Sequence, residues 1–425
     1  MRNLQKLAAG ALEDILGGAA LHQVLPRRLQ MLETPGERGA LQDIVYGSLR
    51  QLGRLDVWLE ALLQRPLTDP QLGLLLRVAL YQLAFTRAPA HAVVHNAVTA
   101  AGEGWRGGLA NAVLRNFQRR RAELEMRADA TLLGRWSHPD WWITKVQAEY
   151  PEQWQNILQA GLTHPPFTLR VNARHGTLDH YLQRLTEAGL PAQQTGTWAL
   201  TLDKAVAVHQ LPGFAEGDVS VQDAGAQWAA ALLDVQAGQR VLDACAAPGG
   251  KSGHLLETAD VALTALDMDA ARLTRVQENL DRLGLQAQLV QGDAATPATW
   301  WDGQLFDRIL ADVPCTASGV VRRNPDIKWL RRPDDIAGFA RQQATMLDAL
   351  WPLLARGGKL LYVTCSIFPE ENTLQVQAFI DRQNTISRAT PDAATVERCP
   401  LPLLNGQILP DATHDGFFYA LLRKT

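Results

Sequence analysis

The 425 residues predict an α/β protein built as an all-helical front, a small α+β connector and a largely parallel, helix-flanked sheet. Three observations carry the prediction. Apolar residues recur at helical spacing through residue 127, as in Leu4, Leu7, Ala8, Ala11, Leu12 and Ile15, and again in Leu72, Leu75, Leu76, Ala79, Leu80 and Leu83. From about residue 215, β-rich runs alternate with helical stretches, the pattern of parallel strands joined by crossover helices. Four of the first five of these runs end at or beside an Asp, Thr or Cys, and open α/β sheets bind ligands outside the carboxyl ends of their strands.

Along the chain, helical breaks are expected at Pro26, Thr34-Pro35-Gly36, Pro66, Pro70 and Pro89, with a later helix opening at Leu109 and ending in Arg119-Arg120-Arg121. The connector, 136–215, holds a helix near Asp140 to Leu162, then Pro165-Pro166, a short strand Thr168–Asn172 and a helix from Leu178 to about Ala188. Strands of the last part, 216–425, are expected at Gln239–Asp243, Ala262–Asp267, Gln288–Gln291, Asp307–Asp312, Lys359–Thr364 and Gly416–Leu422. The first part is 1–135.

Hydrophobic residues make up 47% and charged residues 20%, as expected of a soluble globular chain with ample core. Four cysteines without a close Cys-x-x-Cys pair argue against a disulfide framework or zinc ribbon and suit a reducing compartment. No stretch approaches the ~20 apolar residues of a membrane span, and Met1–Leu7 lacks a signal-peptide pattern, so a cytoplasmic protein is expected. His91 and His95 have neither a Glu nor a cysteine at ligand spacing, so no metal is expected. The net charge is −3, but 16 cations against 11 acids through Arg127 make the front +5, while 25 against 33 leave the rest −8. Any polyanion contact should therefore be local.

Val241-Leu242-Asp243-Ala244-Cys245-Ala246-Ala247-Pro248-Gly249-Gly250-Lys251-Ser252 is a strand, a loop of small residues and a helix start. Small residues let a ligand approach the backbone, and a helix N-terminus favours polar or anionic groups. The Walker spacing would need glycine where Cys245 stands, and the dinucleotide Gly-x-Gly-x-x-Gly pattern is absent. A plain tight turn is the competing reading. Asp267 ends the next strand 24 residues after Asp243, where an acid typically takes ribose hydroxyls; a solvated carboxylate is the alternative. Loop and acid together point to a nucleoside-containing cofactor without a required pyrophosphate, a description that S-adenosylmethionine fits. Asp293, after the third strand, is placed to meet its adenine.

Two cysteines follow strands: Cys315 in Asp312-Val313-Pro314-Cys315, and Cys365 in Thr364-Cys365-Ser366. A lone strand-end cysteine is usually a small apolar filler. Two of them, one beside Asp-x-Pro, instead suit chemistry at pyrimidine C5, which becomes nucleophilic only after a thiolate adds to C6. Asp312 is placed to hydrogen-bond a base edge. Cys245 on its own reads as packing, and Cys399 is assigned nothing. Just beyond Cys315, Arg322, Arg323, Lys328, Arg331 and Arg332 surround Trp329. A charge run is usually a solvated face, but beside such a site RNA contact by Arg322, Arg323, Lys328, Trp329 and Arg331 is expected, with Trp329 either stacking on a base or packing inward.

These motifs, with Glu370-Glu371-Asn372, Arg322–Asp326, Leu169–Asn172 and Val221-Gln222-Asp223, resemble the bacterial RNA cytosine-5 methyltransferases, and Asn111–Arg115 in the front helices resembles the NusB RNA-binding fold. The resemblance spans essentially the whole chain. It implies a class I, Rossmann-like methyltransferase sheet behind a NusB-like domain, S-adenosylmethionine as cofactor, and 16S rRNA as substrate with cytosine 967 as target. Cofactor contacts are implied for Cys245, Ala246, Ala247, Pro248, Gly249, Gly250, Lys251, Asp267, Asp293 and Asp312. The resemblance further implies Cys365 as nucleophile, Cys315 as the thiol assisting product release, and a monomer acting on free RNA or a partly assembled subunit. Val313 stands where the family usually has alanine, which would add bulk beside the target base, and Thr316 where serine is common. The rivals are a tRNA or DNA cytosine-5 methyltransferase and a non-catalytic RNA-binding assembly factor.

Overall fold

A computed structural model describes residues 4–383, 386–388 and 405–425 of the chain. The chain forms two compact units, Met1–His164 with Val321–Arg331, and Pro165–Val320 with Arg332–Thr425. Cys399 lies outside the described residues. Among them, no helix is long and apolar enough to cross a membrane.

The first unit is helical, with helices Leu4–Leu16, Leu21–Leu29, Pro35–Arg50, Leu52–Leu62, Pro70–Phe85, Ala90–Ala101 and Trp105–Asp129 around one apolar core. Local chemistry starts them where expected. Thr34 and Glu37 form a reciprocal capping box before Pro35. The Asp69 carboxylate accepts from Leu72 N (2.9 Å), with Pro70 at the first helical position. Three expectations are corrected. Pro26 sits inside the helix Leu21–Leu29 instead of breaking it. The helix expected from Leu109 begins at Trp105 and continues past Arg121, with a kink at Arg120. The single helix expected over 140–162 is two, Asp140–Glu149 and Trp154–Ala160, separated where Pro151 removes a backbone donor.

Val321–Arg331 packs into this helical unit, and that placement corrects the RNA contacts expected there. Arg322 is 1% exposed and Lys328 fully buried. Lys328 Nζ donates to the carbonyl of Arg50 (2.9 Å) and the Trp329 indole to that of Leu49 (2.8 Å). Both acceptors belong to the last turn of Pro35–Arg50, whose carbonyls lack helical partners and favour cations. In return Arg50 Nη2 donates to the Arg322 carbonyl (2.9 Å), and Asp326 accepts from Leu21 N (3.0 Å) at the start of another helix. Burial, with the Arg50 guanidinium nearby, pulls the Lys328 pKa well below the ordinary lysine value. Arg322 and Lys328 are thus enclosed in the helical unit, with no surface for a phosphate, and Trp329 packs inward. Arg323 and Arg331 are half-exposed.

The second unit holds two sheets. Strands β1 (Phe167–Val171), β2 (Ala192–Gln194), β3 (Ala199–Leu202) and β4 (Val219–Val221) form an antiparallel sheet in the order β2-β3-β1-β4. The larger sheet contains β5 (Arg240–Asp243), β6 (Ala262–Asp267), β7 (Gln288–Gln291), β8 (Phe306–Asp312), β9 (Leu354–Thr364), β10 (Ile386–Arg388), β11 (Gln407–Ile408) and β12 (Phe417–Lys424). Its order is β10-β12-β9-β8-β5-β6-β7, with β11 also on β12; β5 to β9 run parallel, and β10, β11 and β12 pair antiparallel.

Successive residues of the central strands serve opposite layers. Val241, Leu310, Leu361 and Val363 join one core, while Leu242, Ile309, Leu360 and Tyr362 join the other. Both faces are covered, which is why these strands read as continuous apolar runs and not as alternating ones. The chain proceeds outward from β5 to β7 and then crosses to β8 on β5's other side. This reversal makes a crevice at the carboxyl ends of β5 and β8, where doubly wound sheets place ligands.

Candidate active site

The loop after β5 lies at that crevice. Ala244 N and Ala246 N donate to the Leu310 and Leu266 carbonyls (both 2.9 Å), suspending the loop between strands. Gly249 has φ +96°, and a Cβ there would meet Val276 Cα at 3.1 Å, so glycine is required by both conformation and space. Helix Gly250–Thr258 starts directly afterwards. Asp267, 4% exposed, accepts from Ala247 N and Asp269 N (both 3.1 Å) and so sets the loop's far side. Asp293 is exposed at the end of β7, one oxygen accepting from Ala295 N (2.8 Å).

Asp243 is buried, bonded by the Ser252 hydroxyl (2.7 Å), and burial followed by the charge of Asp312 raises its pKa to about 7. Burial and the carboxylates of Asp312, Asp243 and Asp267 push the Cys245 thiol well up, which leaves it a neutral packing group.

Beneath the loop, the small sheet braces the helix start. The Arg170 guanidinium on β1 makes a two-pronged pair with Glu257 (2.9 and 2.6 Å) and donates to the Gly250 carbonyl (2.7 Å) and Gln222 (2.6 Å). Arg170 and Glu257 are both buried, so the planar fork satisfies two desolvated charges at once.

The thiol loops leave adjacent parallel strands, β8 and β9, at matching height, since Asp312 pairs in register with Val363. That register brings Cys315 Sγ and Cys365 Sγ to 3.4 Å, far beyond the ~2.05 Å of a disulfide, and both are free thiols. Cys315 is 7% exposed, and Cys365 is the more open of the two. The hydrogen bond to Cys365, and then burial, push the Cys315 pKa well above the usual thiol value. Gly319 N donates to the Cys365 carbonyl (2.8 Å), and a Cβ on Gly319 would lie 2.3 Å from the Gly416 carbonyl oxygen, so the two loops and β12 meet backbone to backbone.

Lys251, expected among the cofactor contacts, turns its ammonium to Asp312 Oδ2 at 2.5 Å. Burial lowers its pKa, but the charge of Asp312 and the hydrogen bond to it outweigh burial and raise it overall. A fixed cation thus faces the strand-end carboxylate. Val313 is 3% exposed and packed in the sheet core, so its bulk points into the fold and not toward a base. Sequence reasoning missed two further residues here, Glu371 and Gln343, which hold the thiol loops. Glu371 fell in a motif noted only for resemblance, and Gln343 is a solitary polar residue in a helix, with nothing local to mark it.

A switch-point loop of small residues, acids at four strand ends and a pair of thiols define a class I methyltransferase site. The comparisons agree. Residues 230–423 match the family model described as 16S rRNA methyltransferase RsmB/F, 138–209 the RsmF/B-like ferredoxin-like domain, and 2–119 the NusB family. The chain is 48% identical to ribosomal RNA small subunit methyltransferase B of Vibrio cholerae, covering 99% of this chain and 98% of the relative. It is 47% identical to the same-named protein of Pseudomonas putida, again over 99% and 98%. A solved methyltransferase homologue from Pyrococcus horikoshii shares the fold at TM-score 0.59 and 26% identity, over 69% of this chain and 97% of that one. The chain belongs to the 16S rRNA methyltransferase RsmB/F family.

The methyl donor of this enzyme class is S-adenosylmethionine, and the residues present fit it. The loop offers backbone at close quarters, a Cβ on Gly250 would meet only the Gln222 amide at 3.8 Å, and the buried Asp243 Oδ1 has no hydrogen-bond partner. Ala246–Gly250, Asp267 and Asp293 would hold the cofactor, which supplies an electrophilic methyl group.

Proposed function

We propose that this protein methylates C5 of cytosine 967 in 16S rRNA through a covalent bond between Cys365 Sγ and C6 of the base. The observation that carries the reading is the thiol pair 3.4 Å apart beside the Lys251–Asp312 ion pair. Cys365 is the more open of the two sulfurs and so the one a base can reach. As the Sγ–C6 bond forms, the C5=C6 pair shifts to C5 and toward N3, which takes a proton carried to the base by Asp312. The Asp312 carboxylate then accepts from that N3–H until the proton is lost again on release. After methylation at C5, the C5 proton leaves to a base, its bonding pair restores the double bond, and the C6–S pair returns to Cys365. Cys315, held as a thiol beside that sulfur, assists release. Alignment and desolvation in the crevice supply most of the rate advantage.

The proposed division of labour is an RNA-binding domain over 1–135, a connector over 136–215 and a catalytic domain over 216–425, in a monomer that works in the cytoplasm on free rRNA or a partly assembled subunit. With Arg322 and Lys328 buried, RNA contact is better supported on the helical unit's own surface. A groove there carries Arg65, Arg115 and Arg119, all exposed, with Trp105 61% exposed and no acidic residue in its lining. Trp105, Leu109, Ala112, Arg115 and Arg119 share one face of a helix, spanning ~21 Å. Cations with an open indole suit single-stranded RNA, and the half-exposed Arg323 and Arg331 are retained as secondary contacts.

Replacing Arg115 and Arg119 together by alanine is expected to lower the slope of log affinity against log salt by about 1.4 for a single-stranded rRNA fragment. Fluorescence anisotropy at several salt concentrations measures it, and an unchanged slope would remove the groove from the RNA path. Asp267→Ala is expected to weaken S-adenosylmethionine binding by about 10- to 100-fold, the worth of a charged hydrogen bond and its loop, while RNA affinity stays within about twofold. Equal losses in calorimetry would refute a ribose-side role. Bisulfite sequencing of rRNA from cells with and without the protein tests the target itself: a cytosine 967 methylated in both would end the proposal.

A further inference from the structure

The structure points to a positioning residue for the two thiols. We infer that Glu371 sets the Cys315–Cys365 geometry needed for product release, by fastening to one carboxylate the residue that follows each thiol. Its Oε2 accepts from the hydroxyls of Thr316 and Ser366 (2.5 Å each), and its Oε1 from Thr316 N (2.8 Å) and Gln343 Nε2 (3.1 Å). Gln343 also donates to the Pro314 carbonyl (2.9 Å), so the Cys315 loop is gripped on both sides of the thiol. Ser318 donates to or accepts from Ser366 at 3.0 Å, tying the loops a second time.

Glu371 is fully buried, and all the partners just named are uncharged. A carboxylate desolvated against neutral donors is a costly way to stabilise a fold, and apolar packing would serve that purpose as well. What it provides is a rigid, many-toothed tether between two loops whose thiols lie 50 residues apart in the chain, and the proposed chemistry places a demand on that spot. When the C6–S bond breaks, the Cys315 thiol must sit against Cys365 while the C5 proton departs and the bonding pair returns to sulfur. Misplacement by about 1 Å can cost on the order of 100-fold in such a step. Addition of Cys365 to the base needs no partner thiol and should tolerate looser coupling.

The inference rests on the two-thiol reading, and the test separates their failures. Purified Glu371→Gln, Ser366→Ala, Cys315→Ala and unaltered enzyme are compared on an rRNA fragment with S-adenosylmethionine. Glu371→Gln is expected to keep a first-turnover burst near one methyl per enzyme, to lose about 100-fold in steady-state rate, and to accumulate denaturant-resistant enzyme–RNA adduct, as Cys315→Ala does. Ser366→Ala should show the same effect more weakly. A second readout needs no RNA: a two-armed thiol alkylator, dibromobimane, loses both bromides on bridging neighbouring sulfurs, and peptide mapping reports the Cys315–Cys365 bridge. Glu371→Gln should reduce that bridge at unchanged melting temperature. Burst and steady-state rates falling together, an unaltered bridging yield, or unaffected turnover would each overturn the role. Absence of adduct in Cys315→Ala would instead bring down the two-thiol reading, and the role of Glu371 with it, whatever Glu371→Gln does.

Discussion

Cys365→Ala should abolish methyl transfer and covalent RNA capture, whereas Cys315→Ala should retain a single round of transfer and trap the RNA on the enzyme. Losing a nucleophile typically costs about 10⁴- to 10⁶-fold in turnover, so the first variant should fall to background in a methyl-incorporation assay. The second differs because, in the proposed mechanism, its thiol acts after the bond to the base has formed. The proposed order rests on exposure: Cys365 is the more open sulfur, and the enclosed Cys315 has a pKa raised by its hydrogen bond to Cys365 and by burial. Denaturing gel electrophoresis with labelled RNA reads the outcome directly. Adduct from Cys365→Ala and none from Cys315→Ala would reverse the roles.

The second large effect concerns the brace under the cofactor loop. Arg170→Met strands the Glu257 carboxylate in a buried site and frees the Gly250 carbonyl, and breaking such a pair from one side costs about 3–5 kcal/mol. Urea unfolding of the second unit's transition should show that loss, with weaker S-adenosylmethionine binding. Adding Glu257→Gln to Arg170→Met should recover part of the stability, because the stranded charge is removed. Equal stability of the single and double variants would mean that the pair contributes packing alone.

The site was partly legible in the sequence. The loop Cys245–Ser252, the acids at strand ends and both thiols stand where short-range patterns put them, because a strand, a tight turn and a helix start are each specified by a few neighbouring residues. Lys251 was legible as part of that loop, but not as the partner of Asp312, which lies 61 residues further along. Glu371 was visible only as a member of a motif. Its four bonds converge from Thr316, Ser366 and Gln343, which no local period links.

The charge run after Cys315 misled for the same reason. Arg322 and Lys328 look like a solvated face, and the features that enclose them are carbonyls and side chains at helix ends some 270 residues earlier. Backbone acceptors left over at a helix C-terminus have no signature in the sequence that will supply their donors.

Helices, strands, the switch-point loop and the placement of two thiols at strand ends follow from the sequence, since periodicity and turn chemistry act over a few residues. Tertiary structure alone decided that the two sulfurs meet at 3.4 Å, that Lys251 faces Asp312, and which cations remain outside. Those outcomes depend on the register between β8 and β9 and on burial, and both are properties of distant segments packed together.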